Sequence, residues 1–395
     1  MRCNKFFLIR RSKVKAFKNT VACVFALAIF AAAFSGCGAG TSDPDSANEA
    51  TKSEADAKNE DGVFVRIDRD DPDAWQNELS NLRFLTDGEY SFKTLHEDLV
   101  PSEEGFDTLN ISGSAQFSVN QFKELAPKLR EYNKRVYIID TRLESHGFIN
   151  DIAYSWCGKK NAANLGKTRE EIEGDEKGLS SVIGSTLTAY TAVDDEPDQA
   201  VEIEAKSWQT ERELVEGEGF YYHRLACPDH CWPPAEVIDE FIEFANGIDM
   251  NNSWLHFHCQ AGKGRTGAFM TIYDMMKNPG VACDDILLRQ AMTGSGNLYD
   301  KSSEDSSFSQ KERCVLARAV YAYIQENCKK DYIEKWSTWL EHNTQELTLK
   351  VGESKSTEGD AFSSDVAVVD DSFTATGVGE ACVFADNTVY YVTVE

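Results

Sequence analysis

Hydrophobic positions recur along this chain at two spacings. RVYIID, ending at Asp140, is short, β-branched and almost continuous, as a strand buried on both faces should be. YYHRL from Tyr221 and WLHFH from Trp254 have the same character. Between those two, Val237, Ile238, Phe241, Ile242, Ala245 and Ile248 return at helical spacing behind Pro233-Pro234, so a helix separates the strands. Further helices are predicted over 267–276, 284–292, 310–327 and 332–342. This alternation predicts an α/β fold whose central, largely parallel sheet is flanked by helices.

Both ends depart from the pattern. A basic stretch to Lys18 precedes an apolar run, Val21 to Phe34, too short to span a bilayer comfortably, so residues 1–36 read as a targeting segment. The run ends in Phe34-Ser35-Gly36-Cys37, which resembles the lipobox of bacterial lipoproteins and implies a lipid on Cys37 and an extracytoplasmic, membrane-anchored protein. Phe34 stands where an aliphatic residue is usual, which leaves plain cleavage as the alternative. Residues 37–61 are polar and cannot repay their ordering entropy, a disordered tether. The folded domain is expected over 62–345. Residues 346–395 turn polar again and then give VAVVDD, ACVFAD and TVYYVTVE, a β-hairpin packed on the domain or a separate appendage.

Charge narrows the partners. The chain carries −26, and its first 36 residues hold seven Lys/Arg and no acid, so the remainder sits near −26 − 7 = −33. That argues against nucleic acid as a partner. Of eleven cysteines, Cys3 and Cys23 leave with the leader, Cys37 takes the lipid and Cys259 lies in the decisive stretch described next. The remaining seven are an odd, scattered set, which fits reduced thiols with at most one or two bridges. No pair has CxxC spacing and no histidines cluster with them, so neither a structural zinc nor any cofactor is expected.

HFHCQAGKGRTG carries the chemistry. The strand WLHFH delivers Cys259 to a loop, Gly262 and Gly264 permit backbone shapes a side chain would forbid, and Arg265-Thr266 open a helix. Successive amides of such a loop, with the helix dipole, make an anion site, and the same field favours a thiolate. Arg265 adds a planar fork for two phosphoryl oxygens, a geometry lysine lacks. The stretch matches the cysteine-dependent phosphatases of the protein tyrosine phosphatase (PTP) superfamily. That resemblance implies that His258 orients the loop and that Thr266 bonds the sulfur as the phosphoenzyme breaks down.

A thiolate nucleophile cannot protonate a departing alkoxide, so a separate acid is required. CPDHCWPP supplies Asp229, on a loop after a strand and 259 − 229 = 30 residues before the nucleophile. Trp232-Pro233 resembles the mobile acid loop of the superfamily; the plain alternative is a turn or capping aspartate. Cys227 and Cys231 flank it, as packing residues or as a pair whose oxidation would hold the loop open.

VYIIDTRLESHGFINDIAYSWCGKKNAANLG resembles the segment of bacterial PTP-like phytases that reads Asp-Leu-Arg, then Glu-x-His-Gly, with Thr141 in place of Leu. DHCWP is similar to that family's Asp-His-x-Trp-Pro, with Cys231 in the variable place. QKER and the stretch from Tyr323 to Asn343 resemble its closing helices, so the likeness covers roughly Asn81 to Asn343. It implies a PTP-like fold and an inositol polyphosphate substrate, inositol hexakisphosphate (phytate), hydrolysed through a cysteinyl-phosphate; the alternative is a protein-tyrosine or phosphoinositide phosphatase. By the same likeness, Gln260, Ala261, Gly262, Lys263, Gly264 and His230 line the anion site. Asp140, Arg83, Lys301, Lys311 and Arg313 contact substrate, while Glu144, Ser145 and His146 brace the acid loop. In the plain alternatives Asp140 pairs with Arg142 at a strand end and the lysines are solvated. Lys263, Lys159, Lys160 and Lys167 are expected to offset the overall negative field.

Overall fold

In the computed structural model the strand-like runs ending near Asp140, Arg224 and His258 lie side by side. The structure describes residues 62–68, 79–86, 99–193, 196–299, 308–359, 361–363, 367–369 and 371–395. All of them belong to one unit, Lys58–Glu395. The expected leader, tether and Cys37, and also Lys301, lie outside the described residues.

The described part begins with β1 (Phe64–Ile67), β2 (Arg83–Leu85) and β3 (Ile111–Ser114), then α1 (Val119–Glu131) and β4 (Arg135–Asp140). Next come β5 (Ser145–Ile149), β6 (Ile152–Cys157), α2 (Arg169–Gly178), β7 (Thr186–Val193), β8 (Glu196–Glu204) and β9 (Trp208–Gln209). They are followed by α3 (Glu211–Gly217), β10 (Tyr221–Arg224), α4 (Ala235–Gly247) and β11 (Ser253–His258). The helices α5 (Gly264–Lys277), α6 (Cys283–Met292), α7 (Phe308–Asn327) and α8 (Trp336–His342) complete the α/β part.

Five strands form the central sheet in the order β10-β4-β11-β3-β2. The first four are mutually parallel and only β2 runs against its neighbour. This is the expected PTP-like arrangement of a largely parallel sheet between helices. Alternation along β11 divides its side chains between two cores. Leu255 and Phe257 join α4, α5, α6 and α7 on one face, whereas Trp254 joins Phe122, Leu125 and Leu129 of α1 and Leu214 of α3 on the other. Each such fully buried large apolar side chain contributes about 1.5–3 kcal/mol. Ser118 caps α1 through a reciprocal box with Gln121, which fixes where that helix starts.

A second, six-stranded sheet, β8-β7-β1-β6-β5-β9, was not expected. It is antiparallel except between β1 and β7. Its β5–β6 hairpin turns on Asn150 and Asp151, both at positive φ, the conformation a two-residue hairpin demands. Residues 344–394 form six strands in two three-stranded sheets, β12 (Thr344–Leu349) with β16 (Gly379–Ala385) and β17 (Thr388–Val394), and β13 (Ser354–Ser356) with β14 (Ala367–Val369) and β15 (Ser372–Thr374). The polar stretch read as a linker from 346 is therefore the body of β12. Cys382 and Val389 belong to the main core, and Tyr391 donates to Glu312 Oε1 of α7 at 2.7 Å, so this segment is packed on the domain. All eight described cysteines are free thiols.

Candidate active site

The parallel strands end along one edge. Ser114, Asp140, Arg224 and His258 stand there in register, at the edge where open parallel sheets bind ligands. β11, buried throughout, delivers Cys259, itself only 3% exposed, into the loop before α5.

The carbonyls of that loop are tied outward. His258 O accepts from Thr141 N (3.0 Å) and Oγ1 (2.7 Å). Gln260 O accepts from Gln116 N at 3.1 Å, Ala261 O from Asn81 Nδ2 at 2.8 Å and Gly262 O from Arg83 Nη1 at 2.9 Å. Lys263 O accepts from Gly267 N (3.0 Å) and Gly296 N (3.1 Å). In a planar trans peptide the next N–H points the other way. The amides of Ala261, Gly262, Lys263 and Gly264 therefore face the hollow, and Gly262 N donates to Cys259 Sγ at 3.2 Å. Gly262 sits at φ +71°, and a Cβ there would lie 2.3–2.5 Å from the backbone of Ser114 and Ala115, so no other residue fits.

Arg265 closes the hollow. Its fork grips Glu144 with two bonds, Nη1–Oε2 at 2.7 Å and Nη2–Oε1 at 3.0 Å, and reaches Asp229 Oδ2 at 2.9 Å and Cys227 O at 3.3 Å. Burial opposes the charge on both partners, yet the opposite charges outweigh it. Arg265 stays protonated, and Glu144 is held well below the usual carboxylate range by Arg265 and Arg142. Arg265 Nε and Thr266 Oγ1 are buried with no hydrogen-bond partner among the described residues. Asp229 lies on the loop between β10 and α4, pinned in place by Trp232, which is buried in the main core. Its side chain is 21% exposed, and Oδ2 also accepts from Asn161 Nδ2 at 2.9 Å. A thiol sulfur, converging amides, a guanidinium and a carboxyl group thus meet in one place.

Residues 139–277, which contain this whole arrangement, match the model of the PTP-like phytase family, whose description names inositol hexakisphosphate. Over that segment the chain is similar to the family. It is 36% identical to a PTP-like myo-inositol phosphatase from Mitsuokella multacida, solved in complex with myo-inositol-(1,3,4,5)-tetrakisphosphate, with a TM-score of 0.64 over 70% of this chain and 48% of that one. A PTP-like phytase from Bdellovibrio bacteriovorus is 29% identical, with a TM-score of 0.54 over 70% of this chain and 94% of that one. The effector protein hopD2 of Pseudomonas syringae pv. tomato is 28% identical over 203 residues, 48% of this chain and 43% of its own. The chain thus spans less than half the length of that curated relative and about half of the Mitsuokella chain.

Several site residues carried over from the phytase family sit elsewhere than expected. Asp140 is fully buried and does not face the hollow: Oδ2 accepts from Tyr222 Oη at 2.7 Å and Oδ1 from Arg142 N at 2.9 Å, with Arg224 Nε 3.4 Å away. Nor does it pair with the Arg142 side chain, which takes Asp68 and Glu144. Arg83 is 9% exposed and donates to Gly262 O, Asn81 O and Ser295 Oγ, so it supports the loop from behind. Burial lowers its pKa to about 10, against the pull of nearby Cys259. Arg313 is buried against the start of α5, 3.4 Å from where a Cβ on Gly264 would stand. Lys311, two residues earlier on α7, presents a different face of that helix. Lys167 is paired with Asp175 at 2.7 Å, whereas Lys160 and Lys263 are exposed.

The bracing residues also have other duties. Glu144 holds Arg265, not the acid loop. His146 donates from Nδ1 to Glu144 O (2.9 Å) and from Nε2 to Glu211 Oε2 (3.2 Å), and Ser145 Oγ accepts from Asn164 Nδ2 at 2.8 Å. Glu211, which nothing in the sequence marks, opens α3 and lies 2.7 Å from His258 Nε2; His258 and His146 hold it well below the carboxylate range despite burial. His258 is thereby fixed beneath the loop, its ring 4.9 Å from that of Phe117. His230, at φ +59°, turns its 46%-exposed side chain outward beside Asp229. Asp140, His146 and Glu211 have donor atoms within 4.8 Å of one another, the spacing of metal ligands, but Tyr222, Arg224 and Gln116 already engage them, which makes the group a hydrogen-bonded brace.

Proposed function

We propose that this chain is a phosphomonoester hydrolase that removes phosphate from inositol polyphosphates, inositol hexakisphosphate foremost, through a cysteinyl-phosphate. The observation that carries this reading is the convergence of Cys259 Sγ, the inward amides of 261–264, Arg265 and Asp229 on one hollow. Cys259 attacks phosphorus in line while the amides and Arg265 hold the non-bridging oxygens as charge shifts among them. Asp229 protonates the leaving inositol oxygen and then takes a proton from the water that hydrolyses the cysteinyl-phosphate. The unpartnered Thr266 Oγ1 is free to donate to the departing sulfur. The family description and the inositol phosphate bound by the Mitsuokella relative favour this substrate class. Lys263 and Lys160 supply local positive charge within a chain whose net charge is −26.

Phosphate release by the purified chain from inositol hexakisphosphate, compared with a phosphotyrosine peptide, tests the reading. It predicts a higher kcat/KM on the inositol ester, and faster turnover of the peptide overturns the substrate assignment. We also propose that residues 1–36 are removed and that Cys37 carries the lipid anchor, a reading supported by the sequence around Cys37. Membrane fractionation of Cys37→Ala should then move the protein to the soluble fraction, and unchanged membrane association contradicts it.

A further inference from the structure

Seven side chains close into a ring around the acid. Asp229 Oδ2 meets Arg265 (2.9 Å), Arg265 meets Glu144 (2.7 Å), Glu144 meets Arg142 (2.9 Å) and Arg142 meets Asp68 (2.9 Å). Asp68 meets Arg66 (3.2 Å), Arg66 meets Asn161 Oδ1 (2.8 Å), and Asn161 Nδ2 returns to Asp229 Oδ2 (2.9 Å). Six members alternate in charge and sum to zero. Asn161 is the uncharged one, and it links the six-stranded sheet to the acid loop.

We infer that Asn161 is a positioning residue for the acid step, holding the Asp229 carboxyl group where it meets the leaving oxygen. Three observations support this. Asn161 is 1% exposed, so its amide does not exchange its bonds with water. Its φ is +56°, a region asparagine tolerates better than most residues. Arg66 offers only donors, so Oδ1 must face it and Nδ2 must face Asp229; the amide cannot flip. The inference rests on the phosphatase reading, under which the Arg265 fork turns to phosphoryl oxygens during turnover. Asn161 is then the side chain of the ring that still orients Asp229. A neutral donor does this without the added positive charge that would hold a proton donor ionised.

The test uses the full chain with two esters, inositol hexakisphosphate, whose alkoxide leaving group needs an acid, and p-nitrophenyl phosphate, whose phenoxide does not. Asn161→Ala should lower kcat on the inositol ester about 10- to 100-fold with little change in KM, and leave the first-turnover burst of p-nitrophenolate, which precedes the water step that also uses Asp229, within about 3-fold of wild type. Added to Asp229→Asn, it should cost nothing further, because the two act through one group. Asn161→Asp keeps the acceptor for Arg66 and loses the donor, so it should show the same selective loss and decides alone if the alanine variant does not fold. A loss in the p-nitrophenolate burst equal to that on the inositol ester, undiminished turnover of the inositol ester, or an additive loss in the Asp229→Asn background overturns the inference. A wild-type chain inactive on both esters overturns the phosphatase reading itself, and this inference with it.

Discussion

The two loops that meet at the hollow are held by different means. Five carbonyls between His258 and Lys263 are bonded to the surrounding scaffold, and Gly262 is wedged against Ser114 and Ala115, so the nucleophile's place is a property of backbone and core. Asp229 is held instead by side chains, Arg265 and Asn161, themselves tied through Glu144, Arg142, Asp68 and Arg66. A rigid loop suits a nucleophile that must sit within a fraction of an ångström of its target, and side-chain tethers suit an acid that serves in two successive steps. Single substitutions should therefore separate the two.

The largest effect is expected at the nucleophile. Cys259→Ser should cut kcat by about 10⁴-fold or more while calorimetry still detects inositol hexakisphosphate binding. Asp229→Asn comes next, with a loss of about 10²- to 10⁴-fold on the inositol ester, a much smaller one in the first-turnover release of p-nitrophenolate, and an almost unchanged melting temperature. Glu144→Gln leaves two buried guanidinium groups short of their shared charge, so denaturant unfolding should register a loss of about 3–5 kcal/mol. A loss confined to activity would show that the ring orients without stabilising.

The smallest effect concerns pH. Burial, with the charges of His258 and Arg83, pushes His256 down to about 3 from 6.5, and Ser112 and Ser114 hold its ring neutral. A depressed folded-state value means that its contribution is complete above 6.5 and declines as pH falls toward 3, by at most about 1.4 kcal/mol per pH unit. His146 has the opposite sign: burial opposes its charge, but Asp140 and the bond to Glu211 together raise it, so its contribution is complete below 6.5 and lost at higher pH. His256→Asn should flatten the stability profile on the acid side only, and an unchanged slope there contradicts the assignment.

Much of this was legible in the sequence, for physical reasons. RVYIID and WLHFH became β4 and β11 because strands buried on both faces must be largely apolar, whereas YYHRL became the edge strand β10, in which only Arg224 is buried. Cys259, Arg265 and Asp229 were found because their chemistry demands close spacing or a flanking Trp-Pro. The six-stranded sheet was not legible: β8 reads EPDQAVEIE with a single buried position, and its backbone pairing to β7 leaves no hydrophobic alternation to detect. The resemblance of NLRFLT to the family's Asn-Phe-Arg marks Arg83 as a substrate contact, but nothing in those residues shows its bond to Gly262 O, 179 residues away. Asn161, inside a run of Lys, Ala and Asn, has no periodicity or spacing that separates it from a solvated turn. Its partner Arg66 lies 95 residues away, and only the folded chain brings them together.

The central claim is that Cys259 receives the phosphoryl group. It is tested most directly by quenching the Asp229→Asn variant in acid during turnover of p-nitrophenyl phosphate and mapping its peptides by mass. The account predicts one added phosphoryl group on the peptide containing Cys259, absent in Cys259→Ser. A phosphoryl group on any other residue, or turnover that persists in Cys259→Ser, would contradict it.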